Sequence, residues 1–291
     1  MWKSVSLAVS DVGVLCEEVK AVMNVHSTEH GEANAPVLQW LWEYVKAGQE
    51  EILLSSYMPA YYALMTHLLF CSPFLALDAL GSVCQRVRSW RINADASPPP
   101  SLQQWSECFW RVLYRYLTCV LPVTALFQMV RSPTLPELAP SVWQLFVEVI
   151  ACFLLFDMLF FIWHLTMHRV PWLYRNIHQL HHQHRITFAL AAQDASPAEL
   201  LSLLLLALSS AWVVDCHPLS EALFHLINSW LAVEDHCGYD LPWALHRLLP
   251  FLGGAPFHQA HHSVHSGNYA PYFTHWDHLF GTYRAPSSHP K

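Results

Sequence analysis

Three runs of this 291-residue chain are too long and too apolar for an ordinary water-soluble core. They are "ILLSSYMPAYYALMTHLLFCSPFLALDAL" (52–80), "WRVLYRYLTCVLPVTALFQMV" (110–130) and "VWQLFVEVIACFLLFDMLFFIW" (142–163). A helix needs about 20 apolar residues to cross a bilayer, and each run supplies them. The first is long enough to be tilted, or broken at Pro59 or Pro73. A fourth region, 198–233, divides into two shorter apolar pieces around "DCHP" (215–218) and reads as a helical hairpin that crosses twice or only re-enters. The chain is 54 % apolar and 13 % charged, whereas a soluble domain carries about a quarter charged residues. Helices apolar on every face could also be packed inside a soluble protein, but a chain this short has too little interior to bury three of them. The expected fold is all-α: an integral membrane helical bundle of about three long spans plus the hairpin.

Charge and cysteine usage narrow the class further. The net charge of −7 comes mostly from residues 1–51, so no basic face exists to meet nucleic acid phosphates. Eight cysteines are scattered without a CxxC and read as small apolar residues, not as a disulfide framework. Residues 1–36 lack the continuous apolar core of a cleavable signal peptide. Residues 1–37 are left as an N-terminal segment of no assigned role, and 38–291 as the membrane-embedded domain. Three arginines lie in 85–105 and only Arg131 lies in 131–141. Because Lys and Arg accumulate on the cytosolic side, the 81–109 connection is expected in the cytosol. The third span then exits to the cytosol at His164, and the hairpin returns 235–291 to the same side.

That side carries the chemistry. "NIHQLHHQH" (176–184) and "FHQAHHSVH" (257–265) each place a histidine three and four positions before a histidine pair. On a helix, such positions share one face within about one 5.4 Å turn. His178, His181 and His182 are therefore expected to aim at a common point, as are His258, His261 and His262. "WHLTMHR" adds His164 and His168 at i, i+4, and "VEDHCGYDLPW" offers His236 as a ninth donor. Nine imidazoles exceed what one ion accepts, since tetrahedral zinc takes four ligands. Two metals in one cytosolic histidine-rich cap is the economical reading. Imidazole suits zinc, copper and iron alike, so the donors alone leave the metal open. No HExxH, ExxH pair, GxGxxG or P-loop is present, which removes the metalloprotease, ferritin-like and nucleotide-binding readings.

The HX3H, HX2HH and HX2HH groups, in this order and separated by a hydrophobic hairpin, resemble the fatty acid hydroxylase/sterol desaturase superfamily of membrane di-iron oxygenases. Longer phrases, including "VPWLYRNIHQLHHQ" (170–183), "LAVEDHCGY" (231–239) and "NYAPYFTHWDHLFGT" (268–282), are similar to sterol side-chain hydroxylases within it. The likeness runs from about Leu38 to Arg284. It implies that His164, His168, His178, His181, His182, His236, His258, His261 and His262 hold two Fe ions. It also implies O2 as co-substrate, a lipid-dissolved sterol (cholesterol, at carbon 25) as substrate, and the endoplasmic reticulum membrane as location. Electrons would come ultimately from NADPH through a separate reductase or cytochrome. The basic surface at Arg169, Arg175 and Arg185 would suit an acidic partner of that kind. The same boxes serve sterol C4-methyl oxidases, C5 desaturases and fatty acid hydroxylases, and a non-enzymatic zinc-binding membrane protein would also carry histidines.

Other residues near the boxes are candidates for orienting the ligands. Asp157 lies two helical turns before His164 inside the third span, where a carboxylate is costly and usually functional. It could accept an imidazole N–H, or bond a neighbouring helix. Asp235 beside His236 is a similar candidate. Asn268 could fix a metal-bound water or simply shape a turn, and His275 belongs to the last matching phrase without a paired spacing. At "SPAE" (196–199), many relatives in the superfamily have a histidine–proline pair, so no ligand is expected there. His26, His30, His67, His217, His225 and His246 are expected to be structural, and His184, His265 and His278 solvated or peripheral.

Overall fold

The computed structural model describes residues 36–92 and 98–286. The acidic segment before residue 36, with His26 and His30, lies outside them. Helix α1 (Pro36–Lys46) straddles the expected 37/38 boundary and packs against the 132–141 connection. Trp42 Nε1 and Lys46 Nζ donate to the Pro136 carbonyl at 2.9 and 3.0 Å.

Helix α2 (Met58–Val83) begins after a turn at 54–57, so the first apolar run breaks before Pro59 and not at it. Pro59 occupies the first turn, where its missing N–H costs nothing. Pro73 sits inside an uninterrupted helix. Helix α3 (Leu102–Arg131) starts eight residues before its apolar run because Ser101 and Gln104 form a reciprocal capping box. A single wide turn at Tyr116–Val120 interrupts its regular ladder. Helix α4 (Val142–Arg169) is capped by Ser141 and continues six residues past its apolar run. That extension carries His164 and His168. The hairpin is formed as expected, by α5 (Pro197–Val214) and α6 (Pro218–His236). Asp215, at φ 59°, ends α5 in the left-handed region.

Among the described residues, α2, α3, α4 and α5 are long and apolar enough to cross a membrane. Their outward faces expose Leu69, Leu117, Leu126, Leu154 and Ile162, which suits lipid and not water. Inward, Val149, Phe153 and Phe156 of α4 pack on Ala211 of α5 and Phe224 of α6. The chain is an all-helical membrane protein; among the described residues the extended contacts are two isolated bridges, Arg91 with Tyr239 and Leu252 with Phe273.

The bundle has two distinct ends. At one end, Asp78 of α2 accepts from Arg91, Trp105 and Tyr239 at 3.0, 3.0 and 2.7 Å. Those bonds tie the α2–α3 connection to the segment after α6. Both HxxHH segments lie at this end. At the other end, His217 Nε2 meets the Leu138 carbonyl at 3.1 Å, joining the α5–α6 turn to the α3–α4 connection.

Candidate metal centre

Four segments meet at the first end of the bundle. The last two turns of α4 bring His164 and His168, and the end of α6 brings His236. Helix α7 (Gly254–Val264) brings His258, His261 and His262. The 170–196 segment is not a regular helix at its histidines. A wide turn at Tyr174–His178 is followed by a tight turn at His181–Gln183. These nine imidazoles form two clusters: His164, His168, His178, His182 and His261, and then His181, His236, His258 and His262. Within each cluster the ligand nitrogens all lie within 4.8 Å of one another.

Each HxxHH box is divided between the clusters, which corrects the expectation of one common point per box. The i, i+4 pair of the first box (His178, His182) joins one cluster while its i+3 histidine, His181, joins the other. The second box does the reverse: His258 and His262 stay with His181, and His261 crosses to His182. The helical screw explains this for α7. Positions i and i+4 differ by about 40° around the axis, whereas i+3 and i+4 differ by about 100°.

The hydrogen bonds fix which nitrogen faces inward. His164 Nδ1 meets the Tyr269 carbonyl at 2.7 Å, His261 Nδ1 the Gly267 carbonyl at 2.8 Å, and His178 Nδ1 the Glu199 carboxylate at 3.0 Å. In the second cluster, His236 Nδ1 meets the Ala232 carbonyl at 2.8 Å and His262 Nδ1 the His184 carbonyl at 3.1 Å. An acceptor at Nδ1 requires the proton there, so Nε2 carries the lone pair. The Nε2 atoms of His164 and His178 nevertheless stand 3.0 Å apart. Two lone pairs cannot hydrogen-bond, so a cation belongs between them. Other Nε2 pairs lie at 3.0–3.2 Å in the first cluster and 2.9–3.2 Å in the second. An ion about 2.1 Å from each nitrogen would set neighbouring donors about 3.0 Å apart at a right angle and about 3.4 Å in a tetrahedron. The donor sets therefore fit metal ions.

Burial, and then the neighbouring imidazoles, hold His178, His181, His182, His258 and His262 well below their ordinary 6.5. Burial, with His168 beside it, brings His261 to about 3. The rings are neutral at pH 7, the form that binds a metal.

Three acceptors of this outer layer come from turns. Gly267, at φ 93°, leaves no room for a Cβ, which would stand 2.4 Å from the Thr282 carbonyl. Its carbonyl is thereby aimed at His261. Asn268 spends its side chain on the same turn, donating to the Phe257 and Arg284 carbonyls and accepting from the Arg284 N–H. Asp157 Oδ1 accepts from the backbone N–H groups of Tyr272 and Phe273 at 3.0 and 3.2 Å, so it anchors the 268–274 segment to α4. Asp235 is buried at the cavity wall, and His275 is exposed, its ring tilted against that of Trp276. Neither belongs to a cluster. Glu199 is the residue that sequence reasoning missed. Its signal was "SPAE" itself, a carboxylate one turn into a capped helix at the place where a histidine was sought. Asp194 was missed as well. It accepts from Arg111, Arg115 and His184; burial pushes its carboxyl up, but His184 and Arg111 outweigh it and hold the group well below the usual range. It thereby ties α3 to the segment bearing the first box.

A cavity opens beneath both clusters. His164, His178, His181, His236 and His258 line its near end, and Phe156, Phe160, Leu200, Leu204 and Leu208 much of its wall. His67 and His225 also face it, although their sequence suggested packing alone.

Residues 149–282 match the family model described as "Fatty acid hydroxylase". The chain is 46 % identical to cholesterol 25-hydroxylase of Rattus norvegicus, over 89 % of this chain and 87 % of that protein. It is 45 % identical to cholesterol 25-hydroxylase of Homo sapiens, over 86 % and 92 %. A cholesterol 25-hydroxylase-like protein of Danio rerio is 43 % identical over 84 % and 97 %. The chain belongs to the fatty acid hydroxylase family, in its cholesterol 25-hydroxylase branch. No solved structure matches it.

Proposed function

We propose that this chain is an endoplasmic-reticulum monooxygenase that hydroxylates a sterol side chain, cholesterol at carbon 25, with its histidine clusters facing the cytosol. The observation that carries this reading is the continuity of an apolar cavity with two sets of convergent Nε2 lone pairs. A saturated C–H bond offers neither an acidic proton nor an electrophilic carbon, so proton transfer and nucleophilic attack cannot open it. Two irons held by the nine histidines would supply the O2 activation that such a bond requires. Overall, one oxygen atom enters the C–H bond and the other leaves as water, which takes two electrons and two protons from outside.

The protein's own part is positional. The Nδ1–H donations to Tyr269, Gly267, Glu199, Ala232 and His184 lock His164, His261, His178, His236 and His262 with their lone pairs inward. The phenylalanines and leucines of the wall hold an apolar tail and exclude water. Carbon 25 is tertiary, but so are other sterol carbons, so position is set by how far the tail reaches. No GxGxxG or P-loop motif occurs in the sequence, so the electrons would come from a separate protein. Arg169, Arg175 and Arg185 are exposed at the cluster end and would attract an acidic reductase or cytochrome.

The test is product analysis with the full chain in membranes, given cholesterol, NADPH, a reductase and labelled O2. The expected product is 25-hydroxycholesterol with one labelled oxygen, from protein carrying about two irons per chain. Label from water, or oxidation at a C4 methyl or a fatty acyl chain with cholesterol untouched, would overturn the assignment.

A further inference from the structure

The far end of the cavity holds two polar atoms with nothing to bond. Thr124 of α3 lines the cavity at 1 % exposure, and its Oγ1 has no hydrogen-bond partner. His225 of α6 lines it too, and its Nε2 is also unpartnered. The nearest carboxylate, Glu221, stands 3.8 Å away, beyond hydrogen-bonding distance. Both side chains lie between the Arg131–Glu221 pair and the clusters, within about one helical turn of each other in depth. Arg131 pairs with Glu221 at 2.6 Å; His225 is one turn from Glu221, and Thr124 is two turns from Arg131 on the same face. Tyr62, which also lines this end, already donates to the Ala222 carbonyl at 3.1 Å.

Buried polar groups left unmade are costly, and a helical threonine ordinarily satisfies its hydroxyl on the carbonyl four residues earlier. Here that carbonyl belongs to Val120, at the end of the wide turn Tyr116–Val120. Such turns recur at functional positions, and Tyr116, Val120 and Thr124 together form one strip of the cavity wall. The spacing is also informative. His225 is eleven residues before His236 on α6, which is about 16 Å along the axis. That is close to the span from carbon 25 to the 3-hydroxyl oxygen of an extended sterol.

We propose that Thr124, together with His225, receives the 3β-hydroxyl of a sterol that enters tail-first, and so sets which carbon reaches the clusters. The inference rests on the sterol reading above. A hydroxyl needs one donor and one acceptor; threonine offers both, and the histidine ring nitrogen offers either according to its tautomer. His67 also has an unpartnered Nδ1 on the wall, but it lies five residues nearer the clusters than Tyr62, beside the fused rings.

The test compares cholesterol with its 3-deoxy analogue, measuring KM, kcat and direct sterol binding in the wild-type protein and in Thr124→Val, Thr124→Ser and His67→Phe. The wild type should favour cholesterol in KM and in binding by on the order of tenfold. Thr124→Val should erase that preference, changing KM more than kcat; Thr124→Ser should restore it, and His67→Phe should keep it. A Thr124→Val protein that still prefers cholesterol, or a wild type with no preference, overturns the hydroxyl receptor while leaving the sterol reading intact. A wild type that oxidises fatty acyl chains and neither sterol removes the sterol reading and this inference with it.

Discussion

The two imidazole clusters are built from the same kinds of segment and differ in what surrounds them. The first has five donors, of which His168 is only half-buried, and its orienting layer includes a carboxylate, Glu199. The second has four donors, all buried, and the orienting acceptors found for it are backbone carbonyls. Only two rings of the first cluster reach the cavity, against three of the second. On the proposed reading, an octahedral ion held by five donors would have one position left for another ligand, and one held by four would have two. The crowded cluster therefore suits retention of an ion, and the sparser one, turned toward the cavity, suits exchange of small ligands near the substrate.

Neighbouring histidines make the comparison breakable. His181 and His182 are adjacent in sequence yet serve different clusters. His182→Gln should remove the ion of the first cluster and His181→Gln that of the second, each lowering turnover by at least about 100-fold, since even outer-layer losses cost 10–100-fold. Iron content per chain in each variant checks this. His265→Gln, outside both clusters, is the control and should be nearly silent. Each variant should keep about one of two irons, and loss of both irons from either single variant would mean that the clusters are not separate.

Glu199→Ala sharpens the contrast in the orienting layer. Metal affinity at the first cluster should fall by about 10–100-fold, while the second keeps its ion. Glu199→Gln should recover most of the loss, because an amide oxygen still accepts from His178 Nδ1. Spectroscopic metal titration of the two variants reads both outcomes, and equal weakening at both clusters would contradict the assignment of Glu199 to His178.

The smallest effect expected is one of pH on the metal-free protein. His178, His181, His258 and His262 lie well below 6.5 when folded, chiefly through burial. The unfolded chain therefore binds more protons than the folded one below that pH. The stability associated with these rings is present above about pH 6.5 and declines as pH falls toward the folded values. The melting midpoint in detergent should drop between pH 7 and pH 5. A midpoint constant over that range would mean that the rings are hydrated in the absence of metal.

Much of this arrangement was legible in the sequence because length and hydropathy are local properties. The spans, the hairpin and its turn at 215–217 all follow from them. Helix ends were less legible, since Ser101 starts α3 through a cap within a polar stretch and α4 continues past its apolar run. Eight of the nine histidines were found by spacing and His236 by its place at the end of the hairpin, but their division into clusters was not. For α7 the screw of the helix decides it; for His178, His181 and His182 the wide turn at Tyr174–His178 intervenes, and no local pattern announces it. The uses of Asp157, Glu199 and Asn268 depend on contacts with residues remote in sequence. Asp157 bonds a segment 115 residues away, so its burial in a span was readable and its partner was not.

The direction of the cavity has a consequence for substrate supply. It runs from the clusters at one end of the bundle toward the level of Thr124 and His225, deeper among the spans. A sterol in a bilayer keeps its hydroxyl at the headgroups and its tail at the midplane. On the proposed reading, a molecule drawn from the leaflet opposite the clusters already points its tail the right way and needs only to slide. One from the nearer leaflet has to turn over first. The enzyme would thus draw on the lumenal leaflet for its substrate, so that its rate follows how sterol is shared between the two leaflets as well as how much is present.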